Sequence, residues 1–173
     1  QVWFNFPKKE ETDEYSVGEG NELTSLLLEI DGLSWNNNTS ELLGSTIEFG
    51  DIKLHVLAPD HDVAYENKPK EPDELGVRSD DWYIDLRTLI DNVDDDDIDE
   101  GGTNSQSIII LAECEGKKLL LPGDSTPKKL CDALQSYNKT NGTPLELDFM
   151  KLPHHGSTRN VTKNILNEVT CSN

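Results

Sequence analysis

Cysteine is scarce in this chain of 173 residues, and its three copies, Cys114, Cys131 and Cys171, stand far apart. The count is odd and no CxxC pair occurs, so the sequence indicates neither a disulfide framework nor a thiolate zinc site. Disulfide frameworks belong to secreted and other oxidising compartments. The cysteine pattern therefore favours a reducing compartment and predicts a cytoplasmic location.

Long apolar runs are lacking as well. Hydrophobic residues make up 34% of the sequence, and no stretch approaches the roughly 20 apolar residues that a membrane-spanning helix needs. The opening residues Gln1–Phe4 have a strand-like pattern and not that of a secretory signal peptide. The sequence therefore predicts no membrane span, and its length suits one domain with a substantial core.

Basic residues are few in comparison with acidic ones. The chain has 15 Lys and Arg residues against 34 Asp and Glu residues, which gives a formal net charge of −19, and no basic patch stands out. A surface of this charge repels the phosphates of nucleic acids and anionic membranes unless bound cations offset it. Nucleic acid is therefore a disfavoured partner.

Apolar periodicity predicts a chain of mixed strands and helices. Strands are predicted where apolar residues run between Gly or Pro breaks, and helices where they recur every three or four positions. Gly50-Asp51 and Glu115-Gly116 are predicted to be hairpin turns. In order, the predicted elements are strand Val2–Phe6, helix Asn21–Glu29, strands Ser45–Phe49, Ile52–Leu57, Ile108–Cys114 and Lys117–Leu121, helix Pro127–Asn138, strand Leu147–Leu152 and helix Val161–Val169. This order predicts an α/β protein of the α+β sandwich type, in which helices cover a mostly antiparallel sheet.

The stretch from Asp60 to Gly102 has the composition of an insertion. Lys68–Asp73 is linker-like, and Asp91–Glu100 contains four consecutive aspartates. We expect a flexible acidic insertion at about 60–102 within one domain that spans 1–173, with a short helical segment near Trp82–Ile90. The aspartate run lacks the ligand spacing and central Gly of an EF-hand loop, so a solvated loop is favoured over a calcium site.

Two segments combine a short apolar run, a Gly or Pro break and side chains that bind metals. They are Leu119–Asp124 (LLLPGD) and Asp148–Ser157 (DFMKLPHHGS). Strand ends followed by sharp turns are where layered α/β proteins often place their chemistry. Asp and His are also ligands that zinc, manganese or iron prefer. The two segments therefore predict one half of a metal site.

Asp124 has both a functional and a structural interpretation. Its two carboxylate oxygens could bridge two cations, and Gly123 before it allows a tight backbone turn. However, a helix is predicted to start at Pro127, and on spacing alone the capping of that helix by Asp124, Ser125 or Thr126 is favoured over metal binding.

The histidines are similarly ambiguous. His154 and His155 would point to opposite sides of a strand end, so they cannot ligate one metal in the same way unless a turn reorients them. Packing and hydrogen bonding are the structural alternative for this pair. His55, within a strand, is interpreted as structural, and His61, in a loop, as solvated.

Four segments, taken in order, resemble motifs of the metallo-β-lactamase superfamily, specifically the branch that includes the hydrolase domain of bacterial DNA-uptake (competence) proteins. The matching segments are Ile52–Pro59 (IKLHVLAP), similar to a strand that ends in Leu-x-Pro; Asn104–Ile109 (NSQSII), similar to Asn-x-x-Ser before a strand; Leu120–Asp124 (LLPGD), similar to Leu-Leu-x-Gly-Asp; and Leu152–Ser157 (LPHHGS), similar to His-His-Gly-Ser. Each motif is weak singly, but the ordered combination is specific and covers most of the chain.

The resemblance implies a partial αββα metallo-β-lactamase-like fold and a site for two zinc ions, with manganese as the alternative metal. Carried over residue by residue, it implies that Asp124 bridges the metals and that His155 ligates one of them. It also implies that His154 is the catalytic residue that faces the substrate and stabilises developing charge. A metal-activated water would then hydrolyse a phosphoester or related bond.

The chain also departs from the pattern of this family. It contains no His-x-His-x-Asp-His string, which is the family's principal metal motif, and Phe4 stands where related sequences often carry a further histidine. The strands that follow the family's last helix have no counterpart either. We therefore expect a carboxyl-side fragment of a metal-dependent hydrolase that is inactive by itself. The alternative is a catalytically inactive binding or regulatory module. A sheet edge left exposed in such a fragment would favour a homo-oligomer.

Overall fold

The computed structural model describes residues 2–3, 22–23, 25–33, 35–36, 39–60, 98–101 and 104–171. These residues form a mixed α+β structure whose largest sheet is mostly antiparallel, as the sequence predicts at that level of detail. Near the amino terminus, β1 (Val2–Trp3) pairs in parallel with β2 (Trp35–Asn36). Between them the chain is helical at 22–23 and 25–29, within the range predicted for a helix.

Two hairpins build most of the main sheet, and both were predicted. The strands β3 (Thr46–Phe49) and β4 (Ile52–Ala58) are joined through Gly50, and β5 (Ile109–Cys114) and β6 (Lys117–Leu121) are joined through Gly116. Both glycines have a positive φ, which a tight turn between adjacent strands requires. The strand order is β3-β4-β5-β6-β8, and every pair is antiparallel except β6 with β8 (Phe149–Met150).

The helix α1 (Pro127–Asn141) covers the sheet with one apolar face. Leu130, Ala133 and Leu134 are buried at helical spacing, as predicted. They join a core of Ala58, Ile109, Leu111, Leu120, Leu145, Leu147, Ile165 and Val169. The helix runs three residues beyond its predicted end because Gly142, at φ 77°, is the first residue to adopt the left-handed conformation that ends it.

The predicted strand Leu147–Leu152 is wrong as a single element. The chain instead forms β7 (Leu145–Leu147) and then β8, and it changes sheets at Asp148. The Asp148 amide donates to the Lys118 carbonyl at 3.0 Å, and the Asp148 carboxylate accepts from the Lys118 amide at 2.9 Å. This two-way contact fixes the residue beside β6 and separates the two short strands.

The predicted last helix, Val161–Val169, is also shorter than expected. The helix α2 spans Lys163–Asn167, and the chain then returns to strand as β9 (Val169–Cys171), which pairs in parallel with β7. Ile165 is the buried residue of the short helix. Pairing with β7 therefore makes this segment a strand and not the end of a helix. The local sequence around Val169 does not reveal that partner.

Several other predictions lie outside the described residues. These are Phe4–Phe6 of the first strand, His61, and most of the acidic insertion together with its helical segment at Trp82–Ile90. Of that insertion, the structure describes Asp60 and residues 98–101. The run of four aspartates lies outside the described residues, and Asp99, just after it, is buried.

Candidate functional site

The turn that follows β6 carries the first candidate residue. Gly123 has φ 61°, and a Cβ added there would lie 3.3 Å from the Ser107 Cβ, so the position is closely packed. The Asp124 amide donates to the Ser107 hydroxyl at 3.2 Å. Ser107 belongs to the Asn104–Ile109 segment that the sequence singled out, and it fixes the backbone from which the Asp124 side chain projects.

Helix capping does not explain Asp124. The N-cap residue of α1 is Thr126, and no side chain makes a capping hydrogen bond there. Pro127 at the first helical position needs no amide partner, which removes one of the donors that a cap would satisfy. The interpretation that spacing alone favoured is therefore wrong for this residue, and the Asp124 carboxylate is left available for another role.

The two histidines lie in a tight turn and not on a strand. Pro153–Gly156 forms a 3-10 turn in which His154 has φ 43° and His155 has φ 56°. The left-handed conformation costs non-glycine residues on the order of 1–3 kcal/mol each, and it is concentrated at functional sites. The rings lie 6.0 Å apart and are tilted by 60°. Because the two histidines lie in a turn, the expectation that their side chains point to opposite sides of a strand end does not apply.

The strand pairing brings the aspartate turn and the histidine turn together. Because β6 and β8 run in parallel, both turns follow strands at the same edge of the sheet. The His154 amide donates to the Gly123 carbonyl at 3.2 Å, which ties the two turns directly. Asp124 and His155 therefore emerge from adjacent segments. Among the described residues, however, no group of three or more His, Cys, Asp or Glu side chains is placed to hold a metal ion.

A buried polar cluster lies beside the histidine turn, and we define it as Asp99, Asn104, Ser125, His154 and Asn160. Its centre is Asn160, whose residue surface is 1% exposed. The Asn160 side-chain amide donates to Asp99 Oδ2 at 2.9 Å and to the Ser125 carbonyl at 3.2 Å. Its oxygen lies 3.1 Å from His154 Nδ1. The cluster joins the start of α1, the histidine turn and the segment around residue 99.

Asp99, like Asn160, is a member of this cluster that sequence reasoning missed. Its carboxylate accepts hydrogen bonds from the Gly101 amide at 2.7 Å, the Asn104 side chain at 2.7 Å and the Asn160 side chain at 2.9 Å. Its own amide donates to the Arg159 carbonyl at 2.9 Å. The aspartate run just before it made the residue look solvated. The short spacing from Asp99 to Gly101, which is typical of a turn closed by an Asp side chain, is the one local signal that could have marked it.

His55 is structural, as the sequence suggested. Its Nδ1 lies 2.8 Å from the Thr46 hydroxyl across the β3–β4 pair, and its Nε2 lies 3.7 Å from Glu113 on β5. These contacts hold the histidine on the main sheet. They assign it to cross-strand pairing and not to the candidate site.

Asp148 and Cys131 have shifted pKa values. The Lys117 ammonium, with help from the Lys118 amide, lowers the pKa of Asp148. Burial raises the pKa of Cys131, which favours the protonated thiol. The three cysteines are free thiols in this structure.

Among the described residues, no helix is both long enough and apolar enough to cross a membrane.

Comparison with other proteins gives no neighbour from which to transfer a function. No family model, no curated protein and no solved structure matches this chain.

Proposed function

We propose that this chain is part of a metal-dependent hydrolase of the metallo-β-lactamase type, which acts on a phosphoester or related bond. The observation that carries the proposal is the hydrogen bond from the His154 amide to the Gly123 carbonyl, at 3.2 Å. It joins two turns that each carry metal-binding side chains and that are 30 residues apart in sequence. Neither the capping of α1 nor strand geometry accounts for the residues that these turns present.

The donor types suit zinc or manganese, with Asp124 as a carboxylate ligand and His155 as a nitrogen ligand. Their number does not suffice, because a catalytic zinc takes three protein ligands and the described residues contain no group of three. Residues outside the described ranges, or another chain, would have to supply the remainder. When bound, such an ion would supply an activated water for attack on the substrate.

His154 is the proposed catalytic residue on the protein side. Its side chain is 36% exposed, so the ring remains accessible while one nitrogen is held by the polar cluster. A ring that is anchored at one nitrogen and accessible elsewhere suits a group that must contact substrate in a fixed orientation.

A second candidate function is a catalytically inactive binding or regulatory module that retains the same fold. The small number of metal donors among the described residues favours it. A chain of this kind would keep the two turns as structural features and would bind no metal at Asp124. The charge of −19 disfavours nucleic acid as the ligand of either version.

The test is zinc binding at defined free metal concentrations, measured by equilibrium dialysis on the wild-type chain and on Asp124→Ala and His155→Ala variants. We expect each substitution to weaken the tightest binding by at least about tenfold, since each removes one direct ligand. The matched control is Asp132→Ala, because Asp132 is an exposed residue of α1 paired with Lys128. This control accounts for weak zinc binding by a strongly acidic surface.

Equal zinc affinity in the wild-type chain and the Asp124→Ala variant would overturn the proposal, and it would favour the inactive module. We expect the chain by itself not to hydrolyse a chromogenic phosphodiester. Zinc-dependent turnover that Asp124→Ala abolishes would show that the ligand set is complete within these 173 residues.

A further inference from the structure

The orientation of the Asn160 side chain is fixed by what surrounds it. Its Nδ2 lies 2.9 Å from Asp99 Oδ2 and 3.2 Å from the Ser125 carbonyl oxygen. A side-chain amide has two hydrogens, and these two oxygens take both of them. If the amide were reversed, its oxygen would face two acceptors in a buried site, which is strongly unfavourable. Asn160 must therefore donate towards Asp99 and Ser125.

The opposite end of Asn160 then determines the proton on His154. Asn160 Oδ1 lies 3.1 Å from His154 Nδ1, and an amide oxygen can only accept a hydrogen bond. His154 Nδ1 must therefore carry the hydrogen. The Asp99 carboxylate, 3.9 Å from the same nitrogen, favours the same arrangement because a negative charge attracts an N–H and repels a lone pair.

We infer that Asn160, oriented by Asp99 and the Ser125 carbonyl, is a positioning residue that fixes neutral His154 as the Nδ1–H tautomer and leaves the lone pair on Nε2. The inference follows from hydrogen-bond direction and from the 1% exposure of Asn160. Neither observation depends on a metal. A neutral imidazole in water prefers the Nε2–H form, so the cluster selects the less common tautomer.

The Nδ1–H tautomer limits the chemical role that His154 can have in the proposed reaction, and this role rests on the proposed function. A histidine that stabilises developing negative charge has to donate a proton or a hydrogen bond. With its hydrogen on Nδ1, the neutral ring has none to donate from Nε2. At Nε2 it can instead accept a hydrogen bond or a proton from a substrate or from water, as a general base does. Asn160 and Asp99 act through His154 and do not contact substrate themselves.

The test is nuclear magnetic resonance of the chain labelled with 15N in its histidines, in the presence of a chelator. Long-range proton–nitrogen correlations distinguish a protonated ring nitrogen from one with a lone pair. The spectra are recorded at a pH where the 15N shifts themselves show that the imidazoles are neutral. The chain has four histidines, and single His→Gln variants assign their signals.

We expect His154 to show a protonated Nδ1 and an unprotonated Nε2. The exposed His155, for which the described residues provide no hydrogen bond to the ring, should show the ordinary Nε2–H form and serves as the internal reference. In Asn160→Ala, the Nδ1–H population of His154 should fall. Asn138→Ala is the matched control, because Asn138 donates to Glu168 and lies outside the polar cluster.

An Nε2–H tautomer of His154 in the wild-type chain would overturn the inference, whether or not the Asn160→Ala variant folds. A folded Asn160→Ala variant that keeps His154 wholly as Nδ1–H would do the same, because Asn160 would then not be the positioning residue. The zinc experiment on Asp124 and His155 is independent of both outcomes. An Nδ1–H result without zinc binding would support the tautomer while removing the hydrolase proposal.

Discussion

The apolar core beneath α1 and the buried polar cluster beside the histidine turn are two interiors of one molecule, built on different physical rules. In the core, Leu130, Leu134 and Ile165 are fully buried and are held by close packing, which has no preferred direction. In the cluster, Asn160 is equally buried, but each of its contacts requires a donor to face an acceptor. A core residue can be exchanged for another apolar residue of similar volume at little cost in stability. No substitution of a cluster residue keeps all of its hydrogen bonds, so each one lowers the stability.

The comparison also bears on the proposed site. Core residues recur with helical and strand periodicity and would occur in any fold of this class. The cluster joins Asp99 and Asn160, which are 61 positions apart, and it presents one histidine ring at the surface. A costly polar interior next to an accessible ring is typical of a site that has been positioned for chemistry.

The largest expected effect comes from breaking the apolar interior. Leu134→Ala removes a fully buried side chain from α1 and leaves a cavity, so the free energy of unfolding should fall by about 2–5 kcal/mol. Urea denaturation measures this change. Leu166→Ala is the matched control, since its side chain is 51% exposed and should cost much less. Equal losses in the two variants would contradict the position of the core.

A smaller but more diagnostic effect comes from placing an apolar residue in the polar cluster. Asn160→Leu keeps the branched shape of the side chain but replaces its amide by methyl groups, which removes one hydrogen bond each from Asp99, the Ser125 carbonyl and His154. The free energy of unfolding should fall by about 1–3 kcal/mol, because an unsatisfied buried polar group is costly.

The control for that substitution is Asn164→Leu on the exposed face of α2, which should change stability by no more than about 0.5 kcal/mol. The same denaturation assay serves for both variants. If Asn160→Leu proved as stable as the wild-type chain, the cluster would follow the rules of the apolar core and the distinction between the two interiors would fail.

The smallest effect is expected at the surface, outside both interiors. The Asp148 carboxylate accepts from Lys117 Nζ at 2.7 Å and from the Lys118 amide at 2.9 Å, and these bonds lower its pKa in the folded state. A lowered pKa means that the ionised group stabilises the fold above its ordinary pKa of 3.8 and that this contribution is lost as the pH falls through the folded-state value. The wild-type chain should therefore be more stable than Asp148→Asn near neutral pH.

That difference should narrow below about pH 3.8, and thermal unfolding between pH 7 and 3 follows it. Asp132→Asn provides the comparison, because Asp132 pairs with Lys128 within a single turn of exposed helix. A stability difference that widened as the pH fell would mean that Asp148 does not stabilise the fold through its charge.

Local patterns predicted those parts of the fold whose partners are near in sequence. The hairpins β3–β4 and β5–β6 and the helix α1 were predicted to within a few residues, since turn glycines and apolar spacing encode them directly. The division at Asp148 and the strand β9 were not predicted. Both depend on pairing with a strand that lies at least 20 residues away.

The candidate site likewise has residues that local sequence patterns reveal and residues that they do not. Asp124, His154 and His155 are visible in sequence because their residue types and flanking glycines are distinctive. Their proximity could be expected only if the two strands proved to be parallel neighbours. Asn160 carries no distinctive local pattern, and the one local sign of Asp99 is its short spacing to Gly101. Both residues were missed, because hydrogen bonds between distant segments leave no periodicity in the sequence.

The sequence by itself determined the class of the fold, the two hairpins, the apolar face of α1 and the residues with metal-binding side chains. It did so because backbone conformation and amphipathic spacing are properties of neighbouring residues. Only the tertiary structure decided that the two turns meet, that Asp124 does not cap a helix and that Asn160 holds His154. Those are relations between distant segments, and the direction of a hydrogen bond is set only when both partners are in place.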